Sequence, residues 1–326
     1  MLSYERWLAS CICLVLAMVF IGGFTRLTES GLSITEWKPI TGIVPPLTQE
    51  DWLVEFEKYK NTPEYKLRYF DISYVEFKFI YLVEYVHRLV GRLTGLVFIA
   101  GFLYFRYKGR LSEASCVRLV LVLLLGTAQG FIGWYMVKSG LIDVPAVSHY
   151  RLALHLGCAS ALFMLLVYEF LPVTQIRSST FGWSVTGGIA ITLLCGQVLL
   201  GGLVAGLRAG LVYNTFPLMN GEFLPAELLR RTGLEWFSDP VCVQFLHRMN
   251  GFLVSFMVFL AWIGSCFCSW SMFMRVSLLM CLVLAQMFFG VLTLVFQVPV
   301  DIALVHQLMA FLLLGVSVSF LKVVRI

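Results

Sequence analysis

The sequence predicts an all-α integral membrane protein whose eight transmembrane helices form two parallel-repeat four-helix bundles. Three observations carry this reading. The 326-residue chain is 59% hydrophobic and 13% charged, with a mean hydropathy of +0.85, outside the range of ordinary soluble domains. It contains eight apolar runs, each long enough to cross roughly 30 Å of hydrocarbon as a helix. Its second half also repeats the first.

The runs cover 7–24, 79–104, 117–137, 150–171, 182–206, 241–263, 275–297 and 302–321. The first opens directly after "MLSYERW", with no Arg-rich, acid-poor presequence and no small-residue cleavage site, which points to a bacterial inner membrane. One set of loops and ends carries Arg6, Arg106, Lys108, Arg110, Arg118, Arg177, Arg275, Lys322 and Arg325, whereas the loop between spans three and four has little beyond Lys138. The positive-inside rule therefore places both termini in the cytoplasm. The net charge of +5 is mostly this loop signal, and no basic patch suggests nucleic acid. Seven cysteines (Cys11, Cys13, Cys158, Cys195, Cys266, Cys268 and Cys281) fall within or beside the spans and read as small apolar packers.

Between spans one and two, residues 25–78 begin with Gly- and Pro-punctuated sequence and continue into "TQEDWLVEFEKYKNTPEYK". Trp52 and Phe56 stand four apart, Thr48 is a candidate helix cap, and Asp51 occupies the capping-box position. These features predict an amphipathic helix on the outer face. The shorter "NTFPLMNGEFLPAELL" (214–229) is expected to repeat this cap in the second half.

The duplication is read from the alignment of the two halves. "GGFTRLTESGLSITEWKPITGIVPP" (22–46) lies over "GGLVAGLRAGLVYNTFPLMNGEFLP" (201–225) at an offset of 179. His87, Arg88 and Gly91 match His247, Arg248 and Gly251 at 160, "AQGFIG" (128–133) matches "AQMFFG" (285–290) at 157, and His155 matches His306 at 151. A four-span unit starting and ending on one side gives a parallel repeat about an axis along the membrane normal. The expected units are 1–175 and 176–326.

Spans two, four, six and eight then run from the outer face inward and carry His87, His155, His247 and His306 near their outer ends. Two imidazoles facing each other across one bundle suit the axial positions of a heme iron. A lone histidine in a span is ordinarily a packing or interfacial residue, but four at matching positions mark function. Zinc would need more ligands than each pair supplies. His149, the fifth histidine, points about 120° away from His155 on a helix, is matched by Val300, and reads as interfacial. Arg88 and Arg248 follow two of the ligand candidates. They either snorkel to the interface or hold heme propionates. Arg92, Arg26, Arg151 and Arg208 are further outer-face candidates.

The halves differ at one position beside the candidate ligands. Glu84 lies three residues before His87, on the same helix face, and its counterpart is the neutral Gln244. Glu84 is thus either an acid-base group or the structural partner of Arg88. This asymmetry suggests one reactive half and one electron-relay half.

The stretches "GGFTRLTESGLSITEWKPITGIVPP", "EYVHRLVGR", "YRLALHL", "NTFPLMNGEFLP" and "QFLHRMNG" together resemble the heme A synthase family, in its alphaproteobacterial and mitochondrial form. The resemblance covers nearly the whole chain. It implies oxidation of the C8 methyl of heme O to the formyl of heme A for a terminal oxidase. It further implies a heme b cofactor on His247 and His306, substrate or product heme on His87 and His155, and a Glu important for activity at Glu84. The implied partners are heme O synthase, the cytochrome oxidase assembly machinery, membrane lipid and a second copy of the chain. The family's other branch has a cysteine pair in its first outer loop. Residues 25–78 contain no cysteine, and Cys242, alone at the outer end of span six, does not replace that pair. Two rival classes are a diheme b-type electron carrier, which has no use for the Glu84/Gln244 difference, and a parallel-repeat transporter, for which no midplane acidic cluster is present.

Overall fold

The computed structural model describes residues 3–38, 40–141, 147–176 and 182–325; Arg177 lies outside them. The helices are α1 (Tyr4–Leu27), α2 (Gln49–Lys60), α3 (Pro63–Leu67), α4 (Tyr74–Tyr107), α5 (Glu113–Gly140), α6 (His149–Phe170), α7 (Gly182–Gly206), α8 (Pro240–Ser265), α9 (Trp270–Val295) and α10 (Val300–Leu321). All but α2 and α3 are long and apolar enough to cross a membrane, giving a multi-pass membrane protein with eight spans. The exception to the all-α pattern is a short parallel pairing of β1 (Thr174–Ile176) with β2 (Val323–Arg325), which ties the linker between the halves to the C-terminal segment.

Local chemistry sets the helix starts. Side chains of Ser3, Ser73, Ser112, Asp239 and Ser269 accept backbone N–H bonds at the heads of α1, α4, α5, α8 and α9, satisfying donors that a helix leaves open. At α4 a capping box between Ser73 and Glu76 starts the helix earlier than its apolar run, and the helix reaches 34 residues. Its extra turns support the cap.

The cap contains the helix expected from Thr48, with Asp51 completing the capping box. Phe56 stacks on Phe77 at 4.8 Å and Trp52 meets Tyr81 edge-on at 5.1 Å, so α2 lies on the head of α4. The second half departs from the expected plan. Its segment has short 3-10 turns at Ala226–Arg230 and Gly233–Phe237 in place of an α-helix, because Pro217, Gly221 and Pro225 punctuate the run.

The main apolar core lies at the end of the bundle away from the cap. It is built from Trp7, Leu8, Cys11, Phe98, Phe105, Leu119, Phe163, Leu166, Met272, Phe311, Leu314 and their neighbours. Helices α1, α6, α7 and α10 form the centre. α1 packs on α4, α6 and α10, while α7 packs on α6, α8 and α10. The seam between α6 and α7 is close because its residues are small: Cβ atoms on Gly202 and Gly206 would fall 2.7 Å and 2.5 Å from the Cα atoms of Ala153 and His149. This is the small-residue packing that membrane helices use. At the seam between α1 and α10, Leu304 and Leu308 replace Ala153 and Gly157, and the helices stand further apart. An apolar groove of about 400 Å³ remains there, lined by Leu16, Ala17, Phe20, Ile21, Leu308 and Leu312.

Two expected outcomes follow from this packing. Gly206→Ala drives a methyl into the backbone of α6 and costs about 1–3 kcal/mol. Gly95→Ala, where no atom from elsewhere lies within 4 Å, is neutral; thermal unfolding in detergent separates the two. In the cap, burial pushes the Glu64 carboxyl from 4.5 up to about 7, with Glu84 and Glu29 adding to the rise and Tyr59 and Arg68 opposing it. A raised acid favours its protonated form when folded, so this contribution is intact below the unfolded value and is lost as pH rises through about 7. Hydrogen exchange of residues 49–67 should therefore quicken between pH 5 and 8 more in the wild type than in Glu64→Gln.

Candidate functional site

Each of the four histidines sits against a glycine of the preceding helix. Cβ atoms built on Gly22 and Gly133 would lie 3.4 Å from His87 Nε2 and 3.5 Å from His155 Cε1. Those on Gly201 and Gly290 would lie 3.4 Å and 2.8 Å from Cε1 of His247 and His306. Gly22 and Gly201 are equivalent in the repeat, as are Gly133 and Gly290. A Cβ at Gly290 would intrude on the His306 ring, whereas one at each of the other three would reach van der Waals contact with its histidine.

The second-half pair is resolved in detail. The rings of His247 and His306 are 6.5 Å apart between centroids and steeply inclined, at 76°. Two metal–imidazole bonds of about 2 Å, plus about 1 Å from each nitrogen to its ring centre, span roughly 6 Å. One iron therefore fits between them. His306 Nδ1 donates to the Gln286 carbonyl at 3.2 Å and Nε2 lies 3.4 Å from the Gln286 side-chain nitrogen, so Nε2 carries the lone pair that an iron would take in place of that contact. Gln197 donates to the His247 carbonyl at 3.0 Å and lies 3.3 Å from its Nε2. Asn250 in turn donates to Gln197 Oε1 at 2.7 Å. The first-half counterparts of Gln197 and Asn250 are Met18 and Val90, so that network has no equivalent there.

His87 lies on α4 and His155 on α6, and both helices pack on α1. Nδ1 of His155 and of His247, and Oε1 of Gln286 and of its counterpart Gln129, are buried without hydrogen-bond partners. Such orphaned polar atoms are costly in an apolar interior, and their concentration here fits a missing polar ligand. No group of three or more His, Cys, Asp or Glu residues is placed to hold a metal among the described residues. Two imidazole nitrogens presented from facing helices suit the axial positions of heme.

The groups beside the histidines hold the loops. Glu84 is buried. Its Oε2 accepts bonds from Ser33 N–H (2.8 Å), Ser33 Oγ (2.7 Å) and Ile34 N–H (2.9 Å), and its Oε1 accepts from Arg88 at 2.6 Å and 3.1 Å. Arg88 also donates to the carbonyls of Ile34 and Glu36. Arg248 binds the equivalent carbonyls of Tyr213 and Thr215, both at 2.9 Å. Gln244 donates to Ala209 and Tyr213 carbonyls where Glu84 accepts from N–H groups. Acid and amide thus match loops of opposite polarity. Arg248 keeps a buried, unpartnered Nε, whereas Nε of Arg88 is spent on Glu84.

The remaining candidates lie elsewhere. His149 opens α6 against Gly206, with its ring on Tyr150. Arg92 donates to the Lys38 carbonyl, and Arg151 stacks on Tyr135. Arg26 reaches the Ala205 carbonyl, and Arg208 pairs with Glu29. Cys242 is buried at the head of α8 and unpaired. Gln197, Asn250 and Gln286 escaped the sequence reading. Gln286 was within reach, since it stands in a repeated segment; Gln197 and Asn250 break the repeat and carried no such signal.

The family model described as cytochrome oxidase assembly protein matches residues 5–318. The heme A synthase of Neorickettsia sennetsu is 62% identical over 322 residues, covering 99% of both chains. That of Wolbachia pipientis wMel is 46% identical over 98% of this chain and 92% of its own, and that of Rickettsia bellii is 44% identical over 97% and 96%. The spacing of His247 and His306, which admits one iron, and this likeness along the whole chain lead to one conclusion: the chain belongs to the cytochrome oxidase assembly protein family that includes the heme A synthases.

Proposed function

We propose that this protein oxidises the C8 methyl of heme O to the formyl of heme A, for cytochrome oxidase assembly. In this reading His87 and His155 hold the substrate or product heme, and His247 and His306 hold a resident heme b. The single observation that carries it is the repeated His–Gly cradle with unequal surroundings. The second half fixes its ligands with Gln197, Asn250 and the Gln286 carbonyl, as suits a permanent cofactor. The first half has Met18 and Val90 at the positions of Gln197 and Asn250, and the acid Glu84 at that of Gln244, as suits a ring that comes and goes. A carrier with two equivalent hemes has no use for these differences.

Bound heme supplies the redox chemistry, and the chain supplies position and proton control. Glu84 and Arg88 clamp residues 33–36 over the first-half site. Glu84 stands three residues before His87 on the same helix, and in this reading its carboxylate is the acid-base group of the first half. Arg248, with Nε unspent, is the better placed of the two arginines to hold a propionate; Arg88 serves first as the partner of Glu84. The meeting of Glu29 with Arg208, positions equivalent in the repeat, supports two halves, 1–175 and 176–326, related by a two-fold axis along the membrane normal. The Lys and Arg of the short connections at the end away from the cap, among them Arg106, Lys108, Arg110 and Arg275, support cytoplasmic termini with the heme sites toward the outer face of a bacterial inner membrane. Heme O synthase and the oxidase assembly machinery are the partners this reading implies.

The deciding experiment expresses the chain with a heme O synthase in a host lacking its own heme A synthase and identifies the extracted hemes by mass. Heme A is the expected product. Recovery of heme O and heme B alone, from folded and heme-loaded protein, would refute the reading. Glu84→Gln should keep the second-half heme yet lower heme A yield by about a hundredfold, and full activity would remove Glu84 from the chemistry. His306→Ala should abolish the low-spin heme b spectrum, so an unchanged spectrum would unseat that ligand pair.

A further inference from the structure

The two halves differ in how their outer helices meet. In the second half α8 and α9 pack along much of their length, whereas in the first α4 and α5 approach each other at few positions. The sequence accounts for the difference at two levels of the membrane. Ser255 on α8 touches Met287 on α9, Oγ to Sδ, at 2.8 Å, and Trp262 donates to Ser277 Oγ at 3.0 Å. The counterparts of Ser255 and Met287 are Gly95 and Gly130, and those of Trp262 and Ser277 are Phe102 and Val120. Neither bridge is chemically available in the first half. A Cβ on Gly95 or on Gly130 would meet nothing within 4 Å.

Glycine in a membrane helix usually permits close approach. These two glycines do the reverse, marking places where side chains are missing and nothing has moved in. Gly130 follows Gln129, whose buried Oε1 lacks a partner, and stands one turn from Gly133, which faces His155. The gap therefore opens beside the first histidine pair.

We propose that the space between α4 and α5 is a lateral opening through which heme O passes from the bilayer to the first-half site, with its isoprenoid chain lying in the gap. This inference rests on placing the substrate heme in the first half. Heme O fits the opening chemically. It is a flat, largely apolar ring with a long isoprenoid chain, it partitions into lipid, and it has to reach a site enclosed by helices. A resident cofactor needs no such passage, and its half is closed by the Ser255–Met287 and Trp262–Ser277 contacts.

The test transplants the closed side onto the open one. Protein carrying its resident heme b is mixed with heme O, and uptake is followed by absorbance in the wild type, in Gly95→Ser/Gly130→Met and in Ala17→Phe, which fills the groove between α1 and α10. The double substitution should slow heme O uptake at least tenfold and leave the heme b spectrum and thermal unfolding unchanged, while Ala17→Phe has no effect. If the double variant does not fold, Gly130→Met alone puts the same question. Wild-type uptake rates in the closed variant would overturn the proposal, as would a block by Ala17→Phe, which would move the route to the other seam. His87→Ala separates the two readings: if the added heme binds with an unaltered spectrum in that variant, the first-half substrate site itself is wrong, whatever the gap variants do.

Discussion

A polar group surrounded by hydrocarbon has to find its partner within the chain, because no water is there to supply one. That constraint organises the cap-side half of this molecule. Glu84, Arg88, Gln244 and Arg248 would be costly alone at that position. Each is paired with backbone groups of the loop above it, so the loops are fixed by the needs of the helices beneath. Among the groups that remain unpaired, His155 Nδ1, His247 Nδ1 and the carboxamide oxygens of Gln129 and Gln286 belong to the histidine pairs or the helices beside them. Where the rule is broken, the break locates the site.

The same economy governs how the helices meet. Lipid chains are as apolar as leucine, so apolar attraction does not hold membrane helices together, and close packing has to do so. The α6–α7 seam achieves this with glycine and alanine. The α1–α10 seam, built from leucines at the matching positions, stays apart. Equal secondary structure thus gives unequal interfaces, and the duplicated chain acquires different surroundings for its two histidine pairs without altering the helices that present them.

Much of this was legible from residues alone. The Thr48 capping box, the helix carrying Trp52 and Phe56, the eight spans and the four matched histidines all depend on short-range spacing or on repetition. The second-half cap was misjudged because alignment registers equivalence of position and not the effect of Pro217, Gly221 and Pro225 on helix formation. Glu84 showed as an anomaly, but its bonds to Ser33 and Ile34 join residues about fifty positions apart. No local pattern announces such a contact.

The sequence by itself determined that this chain spans a membrane, that segments of its first half recur at fixed offsets in its second, and that four histidines stand at matching places. Hydropathy, periodicity and self-similarity are properties of the chain read in order. The tertiary structure decided which glycine faces which histidine, that Arg88 and Arg248 grip loop carbonyls, and that one outer helix pair is closed while its counterpart is open. Those features depend on distances between segments remote in sequence, where the removal of a single side chain, as at Gly95 or Gly130, leaves either a tight contact or a gap according to what the neighbouring helix brings.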